Sequence, residues 1–211
     1  MSIDLEAKVR GKREETKASN RQAIIDAARR VFAELGYGAT TVRDIIRATD
    51  LASGTFYNYF KSKEEVYQAL RDETALRVRP RLRAERIRAR NFEEFISGSF
   101  RTFFDFVKND QTTFATMRRN HELQHVRIDT PEVIAGFDEL RADLEIAIDK
   151  GVVPGTDADL LMAAMVGVAF EVANHMIARD DLTVDDAAAF ATALFLGGVH
   201  ALPKRRQGKK R

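Results

Sequence analysis

Apolar residues recur at helical spacing along most of the chain. Ile24, Ala27, Ala28, Val31, Phe32 and Leu35 fall at i, i+3, i+4, i+7 intervals and give a first helix one apolar face. Ser19, with Gln22 three residues on, forms a capping box at its start, and Gly36 stands where a helix end commonly requires positive φ. Thr41, with Asp44 at the third helical position, opens a second helix that turns Val42, Ile45 and Ile46 inward. A turn at Thr49-Asp50-Leu51-Ala52 leads to a helix of about two turns that begins at Ser53 and carries Thr55 to Phe60. Ser62 and Glu65 make a second capping box, opening a fourth helix through Val66, Tyr67 and Leu70.

From residue 91 the pattern stays helical. One segment runs over about 91–108, with Phe92, Ile96, Phe103 and Val107 on one face, and another over about 111–125. Thr130-Pro131 is an N-cap followed by proline at the first helical position, opening a helix to about Lys150, where Gly151 and Pro154-Gly155 stop it. Thr156 caps a strongly apolar helix to about Arg179, and Thr183 caps the last, to about Leu202. These two carry many small residues, among them Ala163, Ala164, Gly167, Ala169, Ala187, Ala188, Ala189, Ala191, Ala193, Gly197 and Gly198. Small side chains let helices approach closely, and an apolar helix needs a partner to cover it.

Composition narrows the class. Four prolines in 211 residues suit a mostly helical chain, and the absence of cysteine removes disulfides, thiolate catalysis and Cys-based metal centres. The N-terminus has no apolar core of the secretory type, and the apolar run Leu160 to Phe170, bounded by Asp159 and Glu171, reads as a buried helix. The expectation is a soluble cytoplasmic protein with no membrane association. The net charge of +2 conceals a polarity: residues 1–90 hold 20 Lys/Arg against 13 Asp/Glu, and residues 91–203 hold 8 against 19. Residues 204–211 add six cations, read as a disordered, solvated tail. A basic front half suggests a polyanionic partner.

Two helices joined by a tight turn, the second short and polar, make a helix-turn-helix, whose second helix enters the major groove of DNA. Phe56 and Phe60 would pack inward, leaving Thr55, Tyr57, Asn58 and Tyr59 to reach bases and phosphates. Thr40-Thr41-Val42-Arg43-Asp44-Ile45 and Ser53-Gly54-Thr55-Phe56-Tyr57-Asn58-Tyr59-Phe60-Lys61-Ser62-Lys63-Glu64-Glu65 resemble the DNA-binding signature of the tetracycline-repressor (TetR) family. Ala27-Ala28 through Phe32, Gly36 and Tyr37 match as well, so the resemblance covers roughly residues 19–68. It implies that Thr41 and Arg43 contact the DNA backbone or a base edge. Ser53, Gly54, Thr55, Asn58 and Tyr59 would form the groove-facing surface, and Tyr57 and Lys63 would hold phosphates. Asp50 departs from the family's usual glycine in the inter-helix turn, and Asp tolerates the left-handed region better than most residues.

The expected fold is all-α. Residues 1–18 would be a flexible basic arm, either lying along the minor groove or simply disordered, and 19–68 a three-helix DNA-binding unit. Residues 69–203 would be a helical effector-binding and dimerisation domain, and 204–211 the tail. By resemblance, the last two helices pair with those of a second copy, so that a homodimer reads a palindromic operator as a repressor. A small apolar or amphipathic effector would release it, binding near Phe103, Phe106, Phe114, Met117, Phe137 and Phe170, with His121 and Asn174 as polar candidates. The plainer reading of these aromatics is a packed helical core, and an effectorless architectural DNA binder is a further possibility. No catalytic residues and no cofactor are expected.

One motif points elsewhere. His121-Glu122-Leu123-Gln124-His125 fits the HExxH zinc-peptidase pattern, in which two histidines on one helix face hold zinc and the glutamate activates water. Glu171 and His175, also four apart, could complete a non-catalytic metal shell with His121 and His125. Neither an extended motif nor a substrate-binding strand accompanies them, and ordinary surface or pocket histidines explain the same residues.

Overall fold

The computed structural model describes residues 2–119 and 130–202, with side chains over 12–116 and 130–202. Among these, all regular structure is helical: α1 (Ser2–Leu35), α2 (Val42–Arg47), α3 (Ser53–Tyr57), α4 (Lys63–Arg88), α5 (Phe92–Asn109), α6 (Gln111–Arg119), α7 (Pro131–Asp149), α8 (Ala158–Ile177) and α9 (Val184–Val199). The described residues divide into two units, one of 2–73 with 112–119, the other of 74–111 with 130–202. The division falls inside α4 rather than at residue 68, and it returns most of α6 to the first unit.

In the first unit α1 is far longer than its apolar face. It continues through Ser19, which is helical and caps nothing. Leu, Glu, Ala, Lys and Arg dominate residues 5–17, without proline, and such residues lose little on entering a helix. The stretch expected as a flexible arm is therefore helical, with the side chains of 12–19 exposed. The core gathers Ile24, Ala27, Ala28 and Phe32 of α1 with Tyr37, Ile45, Phe56, Phe60, Val66, Tyr67 and Leu70. Leu35, expected on the same face, is exposed at the helix end. Gly36 ends α1 at φ +78°, as its sequence position requires. Arg29 ties α1 to α4 through Glu73 at 2.8 Å, and the buried Thr116 hydroxyl of α6 donates to the Arg29 carbonyl at 3.1 Å.

In the second unit α5 is the central packing element. Ile96, Phe100, Phe104 and Val107 recur along one buried face. Against it lie the small residues Ala187, Ala188 and Ala191 of α9, with Phe195 edge-on to Phe100 at 6.2 Å. The α7 helix opens on Thr130 and Pro131 as expected and closes at Gly151, φ +70°. There Gly151 N–H bonds the Ile148 carbonyl and Val152 N–H the Ala147 carbonyl, the paired bonds of a left-handed glycine cap. The cap of α8 is Asp157, not Thr156: its carboxylate accepts from the Asp159 and Leu160 amides at 3.0 and 3.3 Å. A carboxylate at a helix N-terminus also meets the positive end of the helix dipole, which a hydroxyl one residue earlier does not. Thr183 and Asp186 form the full capping box of α9.

Charged groups join α4 to α7. Arg79 donates to Glu132 and Glu139, and Arg86 binds both Glu139 and Asp143, the latter at 2.7 Å. The Arg79 hydrogen bond foremost holds the Glu139 carboxyl below the ordinary glutamate value, whereas burial pushes Asp143 up.

Two outcomes are expected. Phe104→Ala opens a cavity at a fully buried site and should lower unfolding stability by about 3–5 kcal/mol, read as a shifted urea midpoint at unchanged slope. Glu139 has a lowered folded-state pKa, so its stabilisation is present above pH 4.5 and is lost as pH falls through the folded value. Protonation of Asp143 acts in the opposite sense. Melting temperatures from pH 7 to 3 should therefore fall less steeply in Glu139→Gln than in the parent chain.

Candidate nucleic-acid interface

The α3 helix spans five residues, and its N-cap, Ala52, offers no side-chain hydrogen bond. So short a helix has little stability of its own. It is held by its aromatic residues: Phe56 is fully buried, Phe60 nearly so, and the guanidinium of Arg21 lies 5.2 Å from the Phe60 ring. With those two side chains inward, Ser53, Gly54, Tyr57 and Asn58 are exposed and Thr55 is half-buried. Tyr57 is 58% exposed, its ring edge-on to Phe56. Tyr59 differs from the expected groove-facing position. It packs partly buried on the core, and its hydroxyl accepts from the Asn20 amide of α1 at 3.5 Å.

The turn before α3 does without a left-handed residue. Among the described residues only Gly36 and Gly151 have positive φ, so Asp50 is not asked for the conformation that glycine favours. Thr49 closes the turn instead, its hydroxyl donating to the Ile46 carbonyl at 2.8 Å and accepting from the Leu51 amide at 3.2 Å.

Thr41 and Asp44 form the expected capping box of α2, with the Thr41 amide and hydroxyl donating to the Asp44 carboxylate at 2.9 and 2.6 Å. These bonds lower the Asp44 pKa, so the box stays intact at neutral pH. Arg43 is exposed, as is Arg47 four residues on. Arg47 was legible as a partner of Arg43, since residues four apart share a helix face. Lys63, expected at a phosphate, is held by the protein itself. Its ammonium is turned back onto the α1–α2 loop, donating to the carbonyls of Tyr37 and Thr40 at 2.9 Å each and of Gly38 at 3.5 Å.

The described effector candidates fall in both units. Phe114 is buried in the first unit, while Phe103, Phe106, Phe137, Phe170 and Asn174 belong to the second. Phe103 and Phe170 are in contact at 5.4 Å, Phe106 is buried and Phe137 is 40% exposed. The buried side-chain oxygen of Asn174 has no hydrogen-bond partner, which marks a place for a donor. The side chain of Met117 and residues His121 and His125 lie outside the described residues, and with them the HExxH motif. Glu171 and His175 are exposed on α8. A groove of about 1050 Å³ lies along the end of α4, α5 and α9, and its walls are charged: Glu85–Arg88, Glu94–Arg90 and Asp185–Arg101 pair across or beside it. None of the aromatic candidates lines it.

Comparison with known proteins agrees with this architecture. The family described as bacterial regulatory proteins, tetR family, matches residues 24–70. An uncharacterized HTH-type transcriptional regulator of Haemophilus influenzae is 31% identical over 110 residues, 52% of this chain and 54% of its own, so the match spans about half of that relative. The structure of the fatty acid degradation regulator FadR from Bacillus halodurans superposes with a TM-score of 0.72 at 27% identity, covering 85% of this chain and 95% of that one. The transcriptional regulator FadR from Bacillus subtilis, solved in complex with stearoyl-CoA, gives 0.69 at 24% identity, with 86% and 99% covered.

The geometry separates residues that fold the interface from those that only face outward. Thr41→Ala removes a cap and should lower stability by about 1 kcal/mol. Asn58→Ala should change it by less than about 0.5 kcal/mol while altering which duplex is preferred. Chemical melts beside gel-shift titrations over a panel of duplexes read both.

Proposed function

We propose that this chain, whose residues 24–70 match the family described as bacterial regulatory proteins, tetR family, is a repressor that binds a palindromic operator as a homodimer in the cytoplasm and is released by an amphipathic effector. The observation that carries this reading is the division of residues 53–60, α3 and the turn after it, with Phe56 and Phe60 in the core and Ser53, Gly54, Tyr57 and Asn58 outward. A helix presenting short polar groups and one aromatic hydroxyl from a rigid aromatic base suits the major groove. Thr41, Arg43 and Arg47 on α2 would set register on the phosphates, and Thr55 and Tyr59 would border the reading face. No enzymatic chemistry is invoked.

The second copy is supported by what α8 and α9 leave uncovered. On α8, Leu160, Ala163, Ala164 and Gly167 are exposed, and on α9 Ala189, Phe190, Ala193, Leu194, Gly197 and Gly198 are exposed. By length and composition α8 could cross a membrane, with a mean hydropathy of 1.7. Its exposed side also carries Asp159, Glu171 and His175, which suit a protein interface and not lipid. Two small-residue helices from each copy can pack closely as a four-helix bundle.

For the effector, the Phe103–Phe170 contact and the unsatisfied Asn174 oxygen support an apolar chain with a polar head. The two FadR structures favour a fatty acyl compound. An effector that prefers the state with the wrong head spacing lowers DNA affinity by its preference for that state.

The test begins with selection of bound sequences from random duplex DNA, which should return an inverted repeat. Stearoyl-CoA, stearate and CoA are then added separately to the complex, with release expected from an acyl-bearing ligand and not from CoA alone. Phe190→Arg should convert a species of twice 23.8 kDa into a monomer in light scattering and weaken operator binding. A Phe190→Arg chain that stays dimeric would place the interface elsewhere.

A further inference from the structure

We propose that Lys63 is a positioning residue for DNA binding, a latch that fixes the α1–α2 loop and through it Thr41 and Arg43, and that it does not itself hold a phosphate. The inference rests on the DNA-binding reading above.

An ammonium group has three protons. In this chain three carbonyls receive them, those of Tyr37 and Thr40 at 2.9 Å and of Gly38 at 3.5 Å. The same nitrogen lies 4.5 Å from the centre of the Tyr37 ring, a cation–π distance. A phosphate would have to displace one of these partners. The position of the charge points the same way: Lys63 is the first residue of α4, where the helix dipole disfavours a cation, and the loop carbonyls supply the compensating negative ends.

What the latch grips is itself rigid. Tyr37 is buried, packs on Phe32 and Tyr67 at 5.5 and 5.1 Å, and donates its hydroxyl proton to Glu64 at 2.7 Å. Burial foremost, and then the Glu64 bond, pushes the Tyr37 pKa well up, so the phenol stays protonated and the Tyr37–Glu64 bond persists at neutral pH. Buried Thr40 bonds the Gly36 carbonyl through its hydroxyl at 2.7 Å. The residue after Thr40 is Thr41, the cap of α2. The α4 N-terminus thus sets the point at which α2 begins, through a loop with one left-handed glycine at its start.

Three measurements on the full chain test this. In the free protein, reductive methylation followed by mass spectrometry should modify exposed Lys61 readily and Lys63 slowly, with no further change at Lys63 when duplex is added. Fast modification of Lys63 that only DNA suppresses would overturn the proposal. In salt titrations against the selected operator, Lys63→Met should weaken binding about tenfold, and in an Arg43→Ala background it should leave the slope of log affinity against log salt unchanged. A slope shallower by about 0.9 would instead identify a phosphate contact. In a Thr41→Ala, Arg43→Ala background, Lys63→Met should cost less than about twofold, because the residues it positions are gone, and a persisting tenfold loss sinks the idea. Should Lys63→Met fail to fold, the methylation pattern of the unaltered chain still decides. Should the unaltered chain bind no duplex, the DNA-binding reading fails, while methylation still reports on the latch.

Discussion

A helix of five residues with no capping side chain cannot hold its own shape, so α3 exists only while Phe56 and Phe60 are sequestered among the side chains of α1 and α4. Burying two phenylalanines is a large contribution for so small an element, several kcal/mol by area alone. The same burial fixes which side chains face out. Packing and the outward face of Ser53, Gly54, Tyr57 and Asn58 are thus two consequences of one pattern. The polar surface can then change its chemistry with little effect on folding.

That dependence runs outward through the unit. The α1 face that receives Phe56 also receives Tyr67 and Leu70 of α4, and Arg29 pairs with Glu73 beside them. The α1–α2 loop is bracketed by Gly36 at one end and the Thr41–Asp44 box at the other, with the Lys63 ammonium beneath. Backbone carbonyls in a short loop must find donors, and here one side chain satisfies three of them. The second unit solves a different problem. Small residues on α9 divide by face: Ala187, Ala188 and Ala191 admit α5, whereas Ala189, Ala193, Gly197 and Gly198 stay uncovered within the chain. One helix thus carries a packed face and an uncovered one.

The helices and most of the outward face around α3 were legible from residue order, because both follow from local patterns. The 3.6-residue apolar spacing of α1, the Thr41–Asp44 and Thr183–Asp186 boxes, the Thr130-Pro131 start and the Gly36 and Gly151 stops each involve neighbours in sequence. Where several local solutions compete, the reading failed. Ser19 with Gln22 satisfies a capping pattern, yet the preceding residues are good helix formers and the helix runs through. Thr156 and Asp157 are both capable caps, and the carboxylate wins. Asp50 stands where the resemblance puts glycine, yet the neighbouring Thr49 hydroxyl closes the turn without a left-handed residue. What no local pattern could give is a contact between distant residues. Lys63 is 23 residues from Thr40, and Tyr59 is 39 from Asn20; nothing in the spacing of either announces its partner.

The effector side illustrates the same limit from the other direction. Seven phenylalanines within Phe92–Phe114 suggested a cavity by number alone, but a number does not say which rings fill space and which border it. Phe100, Phe104, Phe106 and Phe114 are consumed by packing, and the open groove beside α5 is lined by paired charges. What distinguishes a ligand-facing position is an unmet requirement rather than an aromatic ring. Asn174 has one, a buried amide oxygen without a donor on an apolar helix, adjacent in sequence to fully buried Ala173. Leaving such an atom unpaired costs about 1–3 kcal/mol, which a ligand bearing a donor recovers on binding. On the proposed effector reading, a purely hydrocarbon ligand would leave that cost in place, whereas one carrying a hydrogen-bond donor near its apolar chain would not.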